Sequence, residues 1–258
     1  MKWKNIPPHY QVVTTGDGSL TLHSENFDES CHSKAGAMEE TREIYFEGTQ
    51  LLSAFQERET VNLLEVGFGA GIGALCLFSL MQEHQLEKTR IQYTSLELDP
   101  ALIQFFTDNN PQFSSVENDI GFGLQSDSLD IRVLIGDARE TINRLLNDQR
   151  ESFHILFQDA FSPRKNPRLW TSQWFFDLYQ VSHPSARMST YSATSAIRKS
   201  MLKAGWKVAN RAGFQHKKSA TIASKSGQSD PELLKKLERS PACTLTDENA
   251  QDYRLGKI

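Results

Sequence analysis

Residues 63–75 read "LLEVGFGAGIGAL", with glycine at 67, 69, 71 and 73 directly after an apolar run. The run has strand length, and the residues after it follow a helical pattern. A strand that ends at Val66 and turns into a helix puts Gly67, Phe68, Gly69, Ala70 and Gly71 at the carboxyl edge of a sheet. Ligands of open parallel sheets bind at that edge. Glycine there allows a tight turn and lets a ligand occupy the space a Cβ would fill. The spacing differs from the dinucleotide pattern Gly-x-Gly-x-x-Gly, and no Lys-Ser or Lys-Thr follows as in a phosphate loop. On its own the loop also suits a purely structural turn.

Around this stretch, "VNLLEVG", "IQYTSLEL", "IRVLIGD", "FHILFQDAF" and "RMSTYSA" read as strands, with helical patterns at 71–83, 100–107, 138–148, 169–181 and 194–204. Such alternation predicts right-handed crossovers and a parallel sheet. "GWKVANRAG" and "KKSATIASK" are joined too closely for a crossover helix, so they pair as a hairpin. The expected fold is α/β, a Rossmann-like sheet that is mostly parallel with an antiparallel terminal hairpin strand. That is the usual finish of a class I S-adenosylmethionine-dependent methyltransferase and an unusual one for a dinucleotide oxidoreductase.

The expected organisation is an N-terminal extension over 1–57, a methyltransferase domain over 58–225 and a C-terminal extension over 226–258. The first holds a hairpin at Gly16-Asp17-Gly18 and a helical cap from near Ala35, anchored by Phe27, Ile44, Tyr45 and Phe46. The last holds one short helix, with Asp230 as cap and Pro231 at its first position.

With 258 residues, 38% hydrophobic and 23% charged, the composition suits an ordinary globule with one main core. No apolar run is long enough to span a bilayer, and "MKWKNIPPHYQ" lacks an export stretch, so no membrane partner and a cytoplasmic location are expected. Cys31, Cys76 and Cys243 are too scattered for a disulfide scaffold or a zinc site, so no metal is expected. The net charge of -4 argues against a nucleic-acid partner, yet residues 187–225 hold nine Lys or Arg and no acid. That block either focuses a positive field on one face or is simply a solvated surface.

Acidic residues at strand ends supply the rest of a site. Glu97 suits the two ribose hydroxyls of a nucleoside; Asp99 competes for that role but precedes Pro100 and also suits a helix cap. Asp137 can accept from the exocyclic amine of adenine while the Ala138 amide faces the ring edge, and it equally fits an N-cap in a box with Glu140. Glu65, if it faces the cleft, repels a pyrophosphate and tolerates a sulfonium cation, which favours S-adenosylmethionine over NAD. The expected cofactor set is therefore Glu65, Gly67, Phe68, Gly69, Gly71, Glu97, Asp137, Ala138 and Asp159.

In "FHILFQDAFSPRKNPRLWT", residues 153–171, Asp159 leaves the sheet at the same edge. Methyl transfer to an amine needs the nitrogen lone pair held in line, and a carboxylate can do so by accepting an N–H. An ordinary carboxylate near pKa ~4 is too weak to strip an alkylammonium near ~10, so the site accepts the neutral amine. Asp159 alternatively serves as a turn residue. Phe161 and Trp170 either stack on a flat base or anchor the loop, and Arg198, Lys217 and Lys218 are the candidate RNA contacts of the basic block.

Taken together, "DGSLTL", "FDESCHSKAGAMEETREIYF", "LLEVGFGAGIGAL", "SLELDP", "GDARE", "DAFSPRKNPRLWT" and "TYSATSAIRKSMLKAGW" resemble, in order, the family of methyltransferases that complete 5-methylaminomethyl-2-thiouridine at the tRNA wobble position. Members occur alone or as the N-terminal half of a bifunctional enzyme. The resemblance implies S-adenosylmethionine as cofactor and conversion of the 5-aminomethyl group of wobble uridine 34 to 5-methylaminomethyl, with Asp159 facing the amine. It implies the tRNA anticodon arm as partner, a separate enzyme that makes the 5-aminomethyl intermediate, and no fused oxidoreductase domain. Three departures stand out: Ala70-Gly71-Ile72-Gly73 replaces a more polar loop, Cys31 stands where tyrosine is common, and "GFQHKKSA" replaces a Gly-x-Gly-x-Lys-Arg pattern. The alternatives are a methyltransferase of small-molecule amines and a non-catalytic RNA-binding protein.

Overall fold

The computed structural model describes residues 3–86, 90–126, 129–148, 150–215 and 218–258. It opens with a small antiparallel sheet of β1 (Tyr10–Thr14), β2 (Leu20–Ser24) and β3 (Glu29–Ser30). Asp17 holds the predicted reversal by accepting from the Ser19 amide and from the Thr15 and Ser19 hydroxyls. Next come α1 (Ala37–Glu40), a π-helical turn (Thr41–Phe46), α2 (Glu47–Thr49) and α3 (Leu51–Glu57). The π-helical turn is wound so that the three consecutive residues Ile44, Tyr45 and Phe46 are all buried. Such turns are rare and concentrate at functional sites.

The chain then runs through β4 (Thr60–Val66), α4 (Ile72–His84), β5 (Arg90–Glu97), α5 (Ala101–Asn109), β6 (Ser114–Asn118) and β7 (Gly121–Gln125). It continues with β8 (Asp130–Ile135), α6 (Ala138–Asp148), β9 (Phe153–Gln158), a 3-10 turn (Pro167–Trp170), α7 (Ser172–Val181) and β10 (Ser182–Thr190). The last elements are α8 (Ser195–Lys203), β11 (Lys207–Ala212), β12 (Ser219–Ser224), α9 (Pro231–Arg239) and α10 (Ala250–Arg254).

The main sheet has the order β11-β12-β10-β9-β4-β5-β8-β7-β6. The five predicted parallel strands are its centre, and β12 runs antiparallel between β10 and β11, as the short connection required. A second antiparallel hairpin, β6 with β7, widens the opposite edge beside β8. Sequence reading missed it because β6 is polar and largely exposed and β7 carries Gly121 and Gly123, so neither shows an apolar alternation.

Strand alternation splits the core into two layers. On β4, Val61 and Leu63 pack toward the N-terminal helices and α4, whereas Leu64 and Val66 pack toward α6, α7 and α8. The N-terminal segment is thus part of the same packing as the sheet, since Leu22, Ile44, Tyr45 and Phe46 share a cluster with Leu63 and Phe157. At the other end, the Asp230 carboxylate accepts from the Glu232 and Leu233 amides to cap α9, and Leu233 and Leu237 enter the second layer. A second short helix, α10, lies beyond the one expected. Among the described residues, no helix is long and apolar enough to cross a membrane, and no group of three or more His, Cys, Asp or Glu could hold a metal ion.

Candidate active site

A cavity of about 480 Å³ opens at the carboxyl ends of β4, β5, β8 and β9. It has the size of a small-molecule site, for which roughly 300–1,000 Å³ is usual. Of the expected residues, Gly67, Gly69, Glu97, Asp137, Ala138, Asp159 and Phe161 line it together. Gly67 and Gly69 take φ of 96° and 55°. A Cβ on Gly67 would meet the Asp159 carbonyl at 3.0 Å, so these backbones pass as closely as the loop reading requires.

Glu97 is buried at the end of β5, and burial raises its carboxyl above the usual range. Its Oε2 accepts from the Gly69 amide at 2.9 Å, and Oε1 accepts from Leu98 and Asp99 at 2.7 and 2.9 Å. One side chain therefore ties the glycine loop to the turn after β5 while lining the cavity. Asp99 accepts from the Ala101 amide at the start of the next helix, whose N-cap is Pro100, and also lines the cavity. Asp137 accepts from the Arg139 amide at 2.9 Å and pairs with Arg168 at 3.2 Å, so its capping and lining roles coexist.

Asp159 sits at the cavity floor, its amide bonded to the Val66 carbonyl at 3.1 Å. Its Oδ1 accepts from the Tyr45 hydroxyl at 2.5 Å, and its Oδ2 lies 4.0 Å from His32 Nε2. Burial, together with the Asp159 charge, pushes the Tyr45 phenol well above its ordinary value, so it stays a donor. Phe161 lies nearly parallel to Phe27, with ring centroids 4.3 Å apart. The loop after β9 is tied to the N-terminal segment twice more, by the Ser162 amide to Glu29 at 2.7 Å and Lys165 to Asp28 at 2.9 Å.

Five sequence expectations are corrected. Glu65 does not line the cavity: alternation along β4 turns it beneath α4, 4% exposed, where its Oε2 accepts from Ser95 and burial pushes its carboxyl up to about 8. Phe68 is likewise in the core, edge-on to Phe106 at 5.2 Å. Gly71 serves packing, since a Cβ there would stand 2.2 Å from the Phe106 ring. Trp170 is fully buried and holds the site from behind, donating its indole N–H to the Phe161 carbonyl at 2.8 Å. Arg198 is 2% exposed and bonds Thr221, Asn210 and the Ala220 carbonyl, an internal brace that RNA cannot reach. Lys218 is exposed away from the cavity lining, and Lys217 lies outside the described residues.

Sequence reading missed the wall that the N-terminal segment contributes: Tyr10, Asn26, Phe27, Cys31 and His32 all line the cavity. The sequence of that segment carries a hairpin signal, aromatic anchors and a family-like stretch around Cys31 and His32, none of which says that it faces the cavity.

A family model described as S-adenosyl-L-methionine-dependent methyltransferase matches residues 101–226. A bifunctional protein of tRNA 5-methylaminomethyl-2-thiouridine biosynthesis, MnmC, from Pseudomonas fluorescens (strain Pf0-1) is 28% identical over 232 residues, 83% of this chain and 34% of that one. The crystal structure of MNMC2 from Aquifex aeolicus superposes with a TM-score of 0.76 at 27% identity, covering 99% of this chain and 88% of that one. This chain is an S-adenosyl-L-methionine-dependent methyltransferase homologous to the MnmC family. It spans about a third of the length of the curated MnmC relatives it matches, 34% in the Pseudomonas case. Spermidine synthase from Thermotoga maritima shares the fold, with a TM-score of 0.53 and 13% identity. The methyltransferase cavity fits its cofactor: positive-φ glycines leave room at the backbone, and the carboxylates Glu97 and Asp137 stand at the ends of β5 and β8, neighbours in the sheet.

Proposed function

We propose that this methyltransferase acts on the amine of the 5-aminomethyl group of wobble uridine 34 in tRNA, giving 5-methylaminomethyl-(2-thio)uridine. The observation that carries this reading is Asp159: one carboxylate oxygen is fixed by Tyr45 and the residue lines the cavity beside the glycine loop. The named activity of the MnmC relatives supports the same acceptor. When bound, S-adenosylmethionine supplies an electrophilic methyl group. Gly67 and Gly69 leave it space, Glu97 accepts from its ribose hydroxyls, and Asp137 with the Ala138 amide reads its adenine edge. Asp159 accepts an N–H of the neutral amine and holds its lone pair in line, and Phe161 offers a ring face to the uracil.

For the RNA, the loop after β9 presents the exposed Arg168 at the cavity, where a phosphate of the anticodon arm would lie. A separate enzyme supplies the 5-aminomethyl group. Binding is expected to weaken as salt rises, because phosphate contacts release counterions. Nucleoside analysis of hypomodified tRNA incubated with the protein and S-adenosylmethionine tests cofactor, acceptor and product together. One added methyl on the wobble nucleoside is the expected result, and an unlabelled RNA overturns the reading.

A second reading, methylation of a small-molecule amine, draws on the fate of the basic block. Arg198, Lys199 and Lys225 are spent inside the fold, the lysines on carbonyls of Ser240, Ala242 and Ser182. That reading predicts label in a small amine and none in RNA.

A further inference from the structure

His32 lines the cavity opposite Asp159 with its side chain 6% exposed. Its Nδ1 lies 3.0 Å from the hydroxyl of Thr21, which is itself fully buried. Its Nε2 points toward Asp159 Oδ2 across 4.0 Å. That gap is too long for a hydrogen bond, so His32 does not orient the carboxylate directly. Tyr45 already does so from the other oxygen. The Thr21 contact is compatible with either tautomer, and in the one that donates Nδ1–H to Thr21, Nε2 presents a lone pair to the cavity. Burial pushes the imidazole down to about 4, which keeps it neutral at ordinary pH, with one ring nitrogen left as an acceptor.

We infer that His32 Nε2 is a second acceptor for the substrate amine, so that it and Asp159 Oδ2 take both N–H bonds of a primary amine and limit the reaction to a single methyl. This rests on the amine-methylation reading above. The alkylammonium first loses a proton to solvent, since its pKa is about 10. The neutral nitrogen then donates one N–H to Asp159 and the other to His32, which leaves its lone pair as the only free direction. In the transfer the nitrogen lone pair forms the bond to the methyl carbon, the sulfur–carbon bond breaks with its electrons on sulfur, and the nitrogen keeps both protons as an ammonium. Once deprotonated, that product has a single N–H. Its new methyl faces one of the two acceptors, which is left buried and unpaired, and sites built to bond an N–H reject analogues that lack it.

Binding tests this without turnover. Anticodon stem-loop RNAs carrying either 5-aminomethyluridine or 5-methylaminomethyluridine are titrated against the protein without methyl donor. The wild type is expected to prefer the primary amine by roughly tenfold. His32→Ala should lose the preference, and His32→Gln, whose amide oxygen accepts, should recover most of it. Calorimetry with S-adenosylmethionine confirms that each variant is folded, and the Gln variant carries the test if the Ala variant is not. On prolonged incubation with S-adenosylmethionine, the wild type should stop at one methyl while His32→Ala accumulates the dimethylated nucleoside. A tenfold preference and a single methyl retained in His32→Ala, or a preference lost equally in a folded His32→Gln, overturns the inference. A wild type that methylates no RNA overturns the wobble-uridine reading on which this inference rests, and this inference with it.

Discussion

The Tyr45 hydroxyl donates to Asp159 Oδ1 at 2.5 Å, joining residues 114 positions apart in the chain. The π-helical turn Thr41–Phe46 delivers the phenol, and the end of β9 delivers the carboxylate. Tyr45→Phe keeps the ring in its packing and removes only the donor, leaving a partly buried acceptor without it. A hydrogen bond to a charged group contributes about 1.5–3 kcal/mol, so turnover is expected to fall roughly tenfold or more while S-adenosylmethionine affinity is kept. Steady-state kinetics beside calorimetry checks this, and an unchanged kcat would remove Tyr45 from the positioning of Asp159.

Glu97 accepts from three backbone amides, those of Gly69, Leu98 and Asp99. Glu97→Ala is expected to weaken S-adenosylmethionine binding by at least about tenfold, because it removes an acceptor offered to the cofactor and loosens the glycine loop at once. Isothermal calorimetry reads the dissociation constant. An unchanged value would end the proposed ribose role.

Two glycines of one loop should fail differently. A Cβ on Gly71 would stand 2.2 Å from the Phe106 ring, whereas one on Gly69 would come no nearer than 3.6 Å, to Cys31. Both have positive φ, so each alanine carries some backbone strain. Gly71→Ala is expected to cost about 1–3 kcal/mol more in stability through overpacking. Gly69→Ala should stay closer to wild type in thermal midpoint but lose cofactor affinity, because its Cβ intrudes on the cavity. Equal midpoints for the two variants would contradict this.

Glu65 has a carboxyl raised from 4.5 to about 8 by burial. Between those values the unfolded chain has lost this proton while the folded chain keeps it, so the group destabilises the fold increasingly as pH rises from about 4.5 to about 8. Glu65→Gln removes the dependence. Relative to this variant, the wild type should lose up to about 1.4 kcal/mol per pH unit across that window. Thermal melts of both proteins at pH 5, 6.5 and 8 check it, and parallel curves would show that Glu65 is ionised throughout.

What the sequence determined by itself is what short-range pattern can carry. Apolar runs of strand length, helical periodicity between them and the short link between β11 and β12 were enough to predict five parallel strands and a closing hairpin. Strand ends then located Gly67, Gly69, Glu97, Asp137 and Asp159, because a parallel sheet gathers its carboxyl ends at one edge whatever the loops do. What only the tertiary structure decided is direction and partnership. Whether Glu65 points into the cleft or under α4 depends on which face the neighbouring helices cover, and whether Arg198 meets solvent or Thr221 depends on how α8 lies over the terminal hairpin. The wall formed by Tyr10, Cys31 and His32 comes from a segment with no periodic signal, held to the loop after β9 by Phe27, Asp28 and Glu29. Contacts between segments more than a hundred residues apart leave no local trace in a single chain, so the second side of the cavity becomes visible only once the chain is folded.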